Sequence, residues 1–252
     1  MNKKVFNLYP LISGNRLQWR SDSRHNMMTY TKTLNATFIS EIKNRFLCDV
    51  NVEGHNIRCY VPSSCRLENL IDLKGLPVLL LPTVTSTAKV PYSVFAVKYR
   101  RSYIVLNSSA ANTFVQNRIS SRCFSALGKR TRVCAEKQLV GYKCDFFIED
   151  TNTIIEVKSI ITSNIQGIFP TVFSQRALNQ LQHIKMHLQT GKPAAYILVA
   201  LSPYIKSIKI ERDSAFSDIF RECIELGLQI MAFSCRYKEG QLLMEKRLQI
   251  IQ

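Results

Sequence analysis

The most uneven feature of this sequence is its shortage of acidic residues. The 252-residue chain has 18 Asp and Glu against 34 Lys and Arg, which gives a formal net charge of +16. The first 135 residues hold 20 basic and 6 acidic residues, and no acidic residue lies between Asp72 and Glu136. This asymmetry predicts a polyanion as partner, with nucleic acid favoured. The alternatives are a background that simply favours lysine, or an anionic membrane, although the basic residues do not line one amphipathic helix.

Three further absences exclude classes of protein. No apolar run approaches the roughly 20 residues that span a bilayer, and the start lacks the apolar core of a secretory signal, so a cytoplasmic location is expected. The eight cysteines include no Cys-x-x-Cys pair, which argues for free thiols and against structural zinc. No helix-turn-helix or basic-zipper pattern is present to read bases, so a regulatory role would need a protein partner for specificity.

The chain divides into three segments by pattern. Residues 1–27 are polar and basic without period, which predicts a disordered leader or an overlong start and leaves Met1, Met27 and Met28 as alternative translation starts. Residues 28–106 contain closely spaced short strands, at 46–52, 57–61, 78–81, 92–99 and 103–106, typical of a small OB-like β-barrel. Residues 107–252 alternate helices and strands. The predicted fold class is therefore α+β or α/β, a barrel followed by an α/β domain with a mixed sheet.

Two apolar runs joined by a turn carry the main chemical signal. They are Tyr-Lys-Cys-Asp-Phe-Phe-Ile at 142–148 and Thr-Ile-Ile-Glu-Val-Lys at 153–158, and they predict a β-hairpin. Glu156 and Lys158 are two apart and share a face, and Asp145 can lie beside them across the hairpin. Asp145 and Glu156 would bind Mg²⁺ or Mn²⁺, and Lys158 would stabilise developing charge, as in a nuclease. The alternative is a solvated strand end with a salt bridge.

Basic residues provide the candidate nucleic-acid contacts. Tyrosines 92, 99 and 103 lie near three of them and could stack on bases or could equally be barrel core. His183 and His187 lie four apart on a predicted helix at 171–189, but no Glu of a His-Glu-x-x-His motif accompanies them, so a zinc role is not favoured. The predicted contacts are Arg66, Lys98, Arg100, Arg101, Arg118, Arg122, Lys129, Arg130, Arg132 and Arg176.

A series of segments resembles the sugar fermentation stimulation protein family. The segments are Arg-Phe-Leu-Cys-Asp-Val at 45–50, Val-Pro-Tyr-Ser-Val-Phe-Ala-Val-Lys at 90–98, Val-Leu-Asn-Ser-Ser-Ala-Ala-Asn at 105–112, Cys-Asp-Phe-Phe-Ile at 144–148, Ile-Glu-Val-Lys-Ser at 155–159, and Phe-Pro-Thr-Val-Phe-Ser-Gln-Arg at 169–176. The resemblance covers nearly everything after Met27. It implies an OB-like domain, a domain similar to PD-(D/E)XK nucleases, non-specific DNA binding and a role in regulating sugar (maltose) metabolism in bacteria.

The chain departs from that family at positions near the expected site. Thr171 and Gln175 stand where the family has Asp and Glu, and Gln116 stands where it commonly has an upstream Glu. The segment at 62–66, Pro-Ser-Ser-Cys-Arg, replaces Pro-Asn-x-Gly-Arg and keeps only Arg66 as a phosphate contact. With Asp145 and Glu156 as the remaining carboxylates, metal affinity is expected to fall.

Two functions of different class therefore remain. Sequence-independent DNA binding is ranked first, because the basic half attracts polyanions whether or not the site is active. A Mg²⁺-dependent nuclease acting on DNA or RNA is the alternative. It is ranked second because catalysis needs the full set of site residues, and the chain has replaced some of them. The sequence leaves open the preference for DNA or RNA, a homodimer, and the pathway served.

Overall fold

The structure is a computed structural model, and it describes residues 19–20, 29–30, 32–42, 46–63, 66–83, 90–171 and 174–251. In chain order the elements are β1 (Trp19–Arg20), β2 (Leu34–Glu41), β3 (Leu47–Val52), β4 (His55–Tyr60), β5 (Pro77–Pro82), β6 (Tyr92–Tyr99), β7 (Ser102–Val105), α1 (Ala110–Arg118), β8 (Arg132–Leu139), β9 (Tyr142–Ile148), β10 (Thr153–Ile160), β11 (Gln166–Phe169), α2 (Gln175–Gln189), β12 (Ala194–Ala200), β13 (Ser207–Ile210), α3 (Ala215–Glu225), β14 (Gln229–Lys238), β15 (Gln241–Arg247) and β16 (Gln249–Ile251). Short 3₁₀ turns lie at Leu67–Asn69 and Arg122–Leu127.

The first sheet closes into a barrel. Its order is β4-β3-β2-β5-β6, and a parallel pairing of β4 with β6 joins the two ends. The β3–β4 hairpin has a two-residue turn, in which Glu53 and Gly54 both adopt positive φ, as the right-handed twist of paired strands favours. Strand β7 extends the sheet beyond β6. This closed five-strand barrel confirms the OB-like fold predicted for the first half.

The second sheet is mixed and carries the helices. Its order is β1-β8-β9-β10-β12-β14-β15, and β10, β12 and β14 run parallel. Alternate residues of β10 and β12 enter two different cores, one with α1 and one with α2 and α3. All seven residues of β12 are buried, because both faces of this strand are covered. The predicted α/β domain with a mixed sheet is therefore confirmed.

The barrel and the mixed sheet share one hydrophobic core. Phe95 of β6 is fully buried, and its ring centroid lies 4.5 Å from that of Tyr30 and 5.0 Å from that of Tyr237 on β14. The backbone N–H of Val105 donates to the carbonyl of Leu201, 2.9 Å away, across the same junction. The predicted boundary at residues 106–107 stays a prediction, but packing is continuous across it.

Several boundaries differ from those predicted. The helix expected from 171 begins at Gln175, because the Ser174 hydroxyl accepts from the Ala177 N–H at 3.4 Å and caps it there. Of the predicted leader, Trp19–Arg20 pairs with β8, and the other residues up to 28, with both alternative start methionines, lie outside the described residues. No helix in the described part of the chain is long and apolar enough to cross a membrane.

Candidate functional site

The predicted hairpin forms and brings the three expected side chains together. Strands β9 and β10 are antiparallel, with Ile148 opposite Thr153 and Phe146 opposite Ile155. Asp145 immediately precedes Phe146 in β9, and Glu156 and Lys158 come after Ile155 in β10. All three side chains line one cleft, in agreement with the alternation expected from the sequence.

Asp145 is fixed by two hydrogen bonds from different elements. Its Oδ1 accepts from the side-chain amide of Asn112 on α1 at 3.0 Å, and its Oδ2 accepts from the backbone N–H of Val157 at 2.8 Å. Burial raises the pKa of Asp145, and these hydrogen bonds and the charge of Lys158 oppose that rise. The carboxylate is therefore held in place while it stays partly desolvated.

Glu156 is the most deeply buried charged residue of the site. It is 1% exposed, its Oε1 accepts from the Lys158 ammonium at 2.6 Å, and its Oε2 accepts from the hydroxyl of Tyr142. Burial raises the pKa of Glu156, with Lys158 opposing the rise. The Lys158 ammonium also donates to Gln180 Oε1 on α2 at 2.9 Å. Tyr142 within the hairpin and Gln180 on one further element, α2, thus orient Glu156 and Lys158.

The cleft has a volume of about 310 Å³ and lies between the barrel and α2. The carboxylates and Lys158 form one wall. Ser63 of the barrel segment and Ser108, which donates to the Pro62 carbonyl, contribute hydroxyls to another wall, and the start of α2 brings Arg176. Cations and hydroxyl groups opposite two carboxylates suit a phosphate ester better than an apolar ligand.

The oxygen ligands present in this cleft can be compared with those that Mg²⁺ or Mn²⁺ requires. Two buried carboxylates supply hard oxygen ligands, and Lys158 balances only one of their charges. Among the described residues no group of three or more His, Cys, Asp or Glu could enclose a metal. Mg²⁺ commonly binds through one or two carboxylates together with substrate phosphate. The residues therefore fit a cation held jointly with a phosphate, and they do not fit a closed metal site.

Three single positions depart from the resembled family, and among them Thr171 is the one that lines the cleft. Gln175, the first residue of α2, donates from its amide to Asn179 Oδ1 at 3.0 Å along the helix. Gln116 lies on α1 one turn beyond Asn112. Among the described residues, Asp145 and Glu156 are the two carboxylates that line the cleft.

Three predicted nucleic-acid contacts lie at the β6–β7 turn. Lys98 lies with its ammonium 4.7 Å from the Tyr103 ring, and the Arg100 guanidinium lies 5.3 Å from the Tyr99 ring. Arg101 is exposed in the turn. The rings of Tyr99 and Tyr103 pack edge-on against other tyrosines and against the shared core, so they belong to the barrel packing rather than to an open stacking surface.

The predicted contacts between α1 and β8 have unequal surroundings. Arg130 donates to the carbonyls of Ile119 and Gly128, which gives it a structural role. The ammonium of Lys129 and the guanidinium of Arg132 both lie within 4.0 Å of Asp150. Arg118 lies over the Phe114 ring, and its Nε is buried with no hydrogen-bond partner among the described residues. Arg122 is exposed.

The two remaining predicted contacts lie apart from both groups. Arg176 lines the cleft, where it is exposed in the first turn of α2. Arg66 precedes the 3₁₀ turn at Leu67–Asn69 and is half-buried.

Sequence reasoning missed Asn112, Tyr142 and Gln180. Each hydrogen-bonds to a member of the predicted trio, yet each has an ordinary residue type in its local pattern. The two histidines have separate contacts: His183 stacks on Tyr142 with ring centroids 5.4 Å apart, and a ring nitrogen of His187 lies 2.9 Å from the carbonyl oxygen of Asn152. Only the tertiary contacts identify these roles.

The raised pKa values of Asp145 and Glu156 give a pH prediction. A carboxyl whose pKa is higher in the folded than in the unfolded state stabilises the fold fully below the unfolded value of about 4, and this contribution is lost as pH rises through the folded pKa. Glu156→Gln should therefore gain unfolding free energy relative to wild type as pH rises. Urea unfolding from pH 4 to 8, with the exposed Glu225→Gln alongside, measures this gain. Parallel curves for wild type and Glu156→Gln would contradict it.

The fold and site define a class of protein, an OB barrel joined to a restriction-endonuclease-like domain with a carboxylate and lysine cleft. Two family models agree with it: the SfsA N-terminal OB domain matches residues 42–106, and the sugar fermentation stimulation protein RE domain matches residues 109–241. The chain belongs to the sugar fermentation stimulation protein family.

Relatives share this assignment over their full length. A sugar fermentation stimulation protein homolog of Pseudoalteromonas atlantica is 23% identical over 235 residues, which covers 89% of this chain and 100% of the relative. One of Caldanaerobacter subterraneus is 26% identical with the same coverage. A solved structure, described as Pyrococcus furiosus SfsA in complex with Ca²⁺, has a TM-score of 0.76 at 15% identity and covers 91% of this chain and 100% of its own. That likeness supports the fold.

Proposed function

We propose that this protein binds nucleic acid, DNA in the first instance, without reading its sequence. The observation that carries the proposal is a set of exposed arginines, which have no carboxylate within salt-bridge distance in the part of the chain that the structure describes. They lie at the β6–β7 turn, after α1 and at the cleft, and they are Arg100, Arg101, Arg122 and Arg176. Unneutralised guanidinium groups on a chain of net charge +16 favour phosphate.

Salt dependence is the measurement that tests this proposal. Each phosphate neutralised should contribute a slope of about −0.9 to the plot of log binding constant against log salt concentration. Arg100→Ala combined with Arg101→Ala should weaken binding to all duplex sequences alike and reduce the slope by about 2. Fluorescence anisotropy between 50 and 200 mM salt, roughly the range over which such contacts are most visible, measures it.

The matched control is Arg221→Ala, an exposed arginine of α3 that pairs with Asp218 at 2.8 Å. It removes one positive charge from a site that is already neutralised, so the salt slope should stay at the wild-type value. Binding of wild type that is independent of salt, or a slope unchanged in the double variant and lowered in Arg221→Ala, would contradict the proposal.

Contacts of this kind position a protein on the phosphate backbone and carry no sequence information. A role in regulating sugar metabolism, which the family name suggests, would therefore require a second component that supplies specificity. We propose a protein partner for that role, and a pull-down from a bacterial lysate followed by footprinting of the recovered complex would test it. A sequence-specific footprint given by the protein alone would refute the need for a partner.

A second candidate function is metal-dependent hydrolysis of phosphodiesters at the cleft. The specific observation that favours it is the meeting of Asp145, Glu156 and Lys158 in one cleft with two carboxylate charges and one ammonium. The Pyrococcus relative was solved with Ca²⁺, which shows a divalent cation in that protein. In this chain Asp145 and Glu156 would hold Mg²⁺ or Mn²⁺ together with a substrate phosphate, and the cation would supply an activated water and charge neutralisation.

The chain's own residues have separable roles in that reaction. Asn112 and the Val157 N–H hold Asp145, and Tyr142 holds Glu156, so both carboxylates are oriented before substrate arrives. Lys158, supported by Gln180, presents a positive charge where negative charge develops on phosphate. Cleavage of end-labelled DNA in Mn²⁺ but not in EDTA would support this function, and intact DNA in both would refute it.

A further inference from the structure

An exposed aromatic pair lies on the outside of the barrel and has no role in the site described above. Phe46 is 38% exposed and Tyr60 is 40% exposed, whereas most large apolar side chains of the barrel are buried. Their ring centroids are 6.5 Å apart and the ring planes differ by 15°. A planar group that lies flat against one of these rings is therefore nearly parallel to the other as well.

The position of this pair in the barrel favours a ligand rather than core packing. Tyr60 ends β4 and Phe46 immediately precedes β3, and the Phe46 carbonyl accepts from the Val61 N–H at 2.8 Å, which keeps the two segments in register. Strands β3 and β4 are the second and third strands of the OB-like barrel. The outer face of those strands is where OB folds bind oligonucleotides.

The rest of this face is polar and accessible. Arg58 and Asp49 form an ion pair at 3.0 Å, with the arginine side chain 54% exposed, and Asn51 donates to Asn56 at 2.8 Å. These groups suit a ligand that has a planar apolar part and a polar, charged backbone, because they offer hydrogen bonds beside the rings. A wholly apolar partner would remove water from these polar groups without offering them further hydrogen bonds.

The pair also lies close to the cleft along the chain. Pro62 accepts through its carbonyl from both the N–H and the hydroxyl of Ser108, and the next residue, Ser63, lines the cleft with Ser108. Three residue steps separate Tyr60 from Ser63, a reach of at most about 10 Å. That is about the length of three stacked nucleotides at 3.4 Å each.

We infer that Phe46 and Tyr60 form a base-stacking site for single-stranded nucleic acid, on a strand whose phosphates continue toward the cleft. The inference rests on the proposed nucleic-acid binding and adds to it which form of nucleic acid is preferred and which residues decide the preference. Stacking on aromatic rings tolerates any base, so the site selects single strands, whose bases are open, over duplexes without selecting a sequence.

Affinity for three matched ligands tests the inference: a single-stranded oligonucleotide, the same length of abasic strand, and a duplex. The wild-type protein should bind the single strand roughly tenfold more tightly than the abasic strand, because both carry the same phosphates and only one carries bases. Phe46→Leu and Tyr60→Leu keep apolar bulk at exposed positions but remove the flat ring. Each variant should lose most of the difference in affinity between the normal and the abasic strand, and each should bind the duplex as wild type does.

Met186→Ala is the control, because Met186 is a 53% exposed apolar residue on α2, away from the barrel. It should keep the wild-type preference. Single-stranded RNA of the same sequence, run in parallel, reports whether the site distinguishes the two sugars. Stacking alone predicts similar affinity for both, so an equal preference for bases over the abasic strand in each supports the inference.

The outcomes separate this inference from the proposed function. Wild-type protein that binds the abasic strand as tightly as the normal strand, or leucine variants that keep the full preference, would overturn the stacking site while salt-dependent duplex binding still supports the proposed function. Wild-type protein that binds none of the three ligands would overturn both.

Discussion

Lys158→Ala is expected to lower Mn²⁺-dependent cleavage of DNA by about 10²- to 10³-fold, if the cleft hydrolyses phosphodiesters as proposed. The expected loss follows from the position of the ammonium, which lies 2.6 Å from Glu156 and 2.9 Å from Gln180 at the wall of the cleft. Removing one group that stabilises developing charge in a partly desolvated site commonly has an effect of this size. The measurement is the rate of cleavage of end-labelled DNA at saturating protein.

Lys185→Ala is the matched control for this variant. Lys185 also pairs with a glutamate, Glu222, but this pair links α2 to α3 and does not line the cleft. The Lys185→Ala protein should therefore cleave DNA at the wild-type rate. Because Lys158→Ala leaves Glu156 buried with Tyr142, duplex binding is measured on the same sample to show that the protein is folded. A folded Lys158→Ala protein that cleaves at the wild-type rate would remove the cleft from the mechanism.

Phe95→Ala is expected to reduce the unfolding free energy by about 3 to 5 kcal/mol, the usual result of removing a fully buried phenylalanine. Phe95 belongs to the barrel, yet its ring contacts Tyr237 of the mixed sheet at 5.0 Å and lies in a core that reaches Phe233. The resulting cavity should therefore weaken both halves of the molecule together. Urea denaturation followed by circular dichroism, with hydrogen exchange in β6 and β12 as local probes, measures the effect.

Ile165→Ala, at a position that is 61% exposed, is the control and should change the unfolding free energy by less than about 0.5 kcal/mol. The informative comparison is between the two local probes. One shared transition at a lower urea concentration would show that the barrel and sheet unfold as a unit. Protection lost early in β6 and unchanged in β12 would show instead that the two halves are independent domains.

The hairpin and its trio could be predicted from sequence because strand signals are local. Period-two alternation in 142–148 and 153–158 fixes which side chains share a face, and turn residues fix the pairing. The short strands of the barrel were recognisable for the same reason. Closure of the barrel by β4 and β6 was not, since a parallel pairing between distant segments leaves no local pattern.

The sequence predicted the excess of positive charge, but it did not show which of the basic residues are exposed. The sequence shows that Arg130 and Arg101 are both arginines in an acid-poor stretch, but Arg130 donates to backbone carbonyls while Arg101 is exposed. Likewise the tyrosines at 99 and 103 are half-buried against neighbouring tyrosine rings, whereas Phe46 and Tyr60 are exposed. Exposure depends on what packs alongside, which residue type and spacing do not specify.

The sequence by itself determined the excess of positive charge, the barrel and mixed-sheet succession, and the identity of the two carboxylates and the lysine, because composition and strand periodicity are properties of short stretches. Only the tertiary structure decided which groups orient that trio. Asn112 on α1, Tyr142 on β9 and Gln180 on α2 reach it from three separate elements. The Asn112 and Gln180 contacts depend on how the helices pack on the sheet, and packing is a sum of many long-range contacts that no single segment encodes.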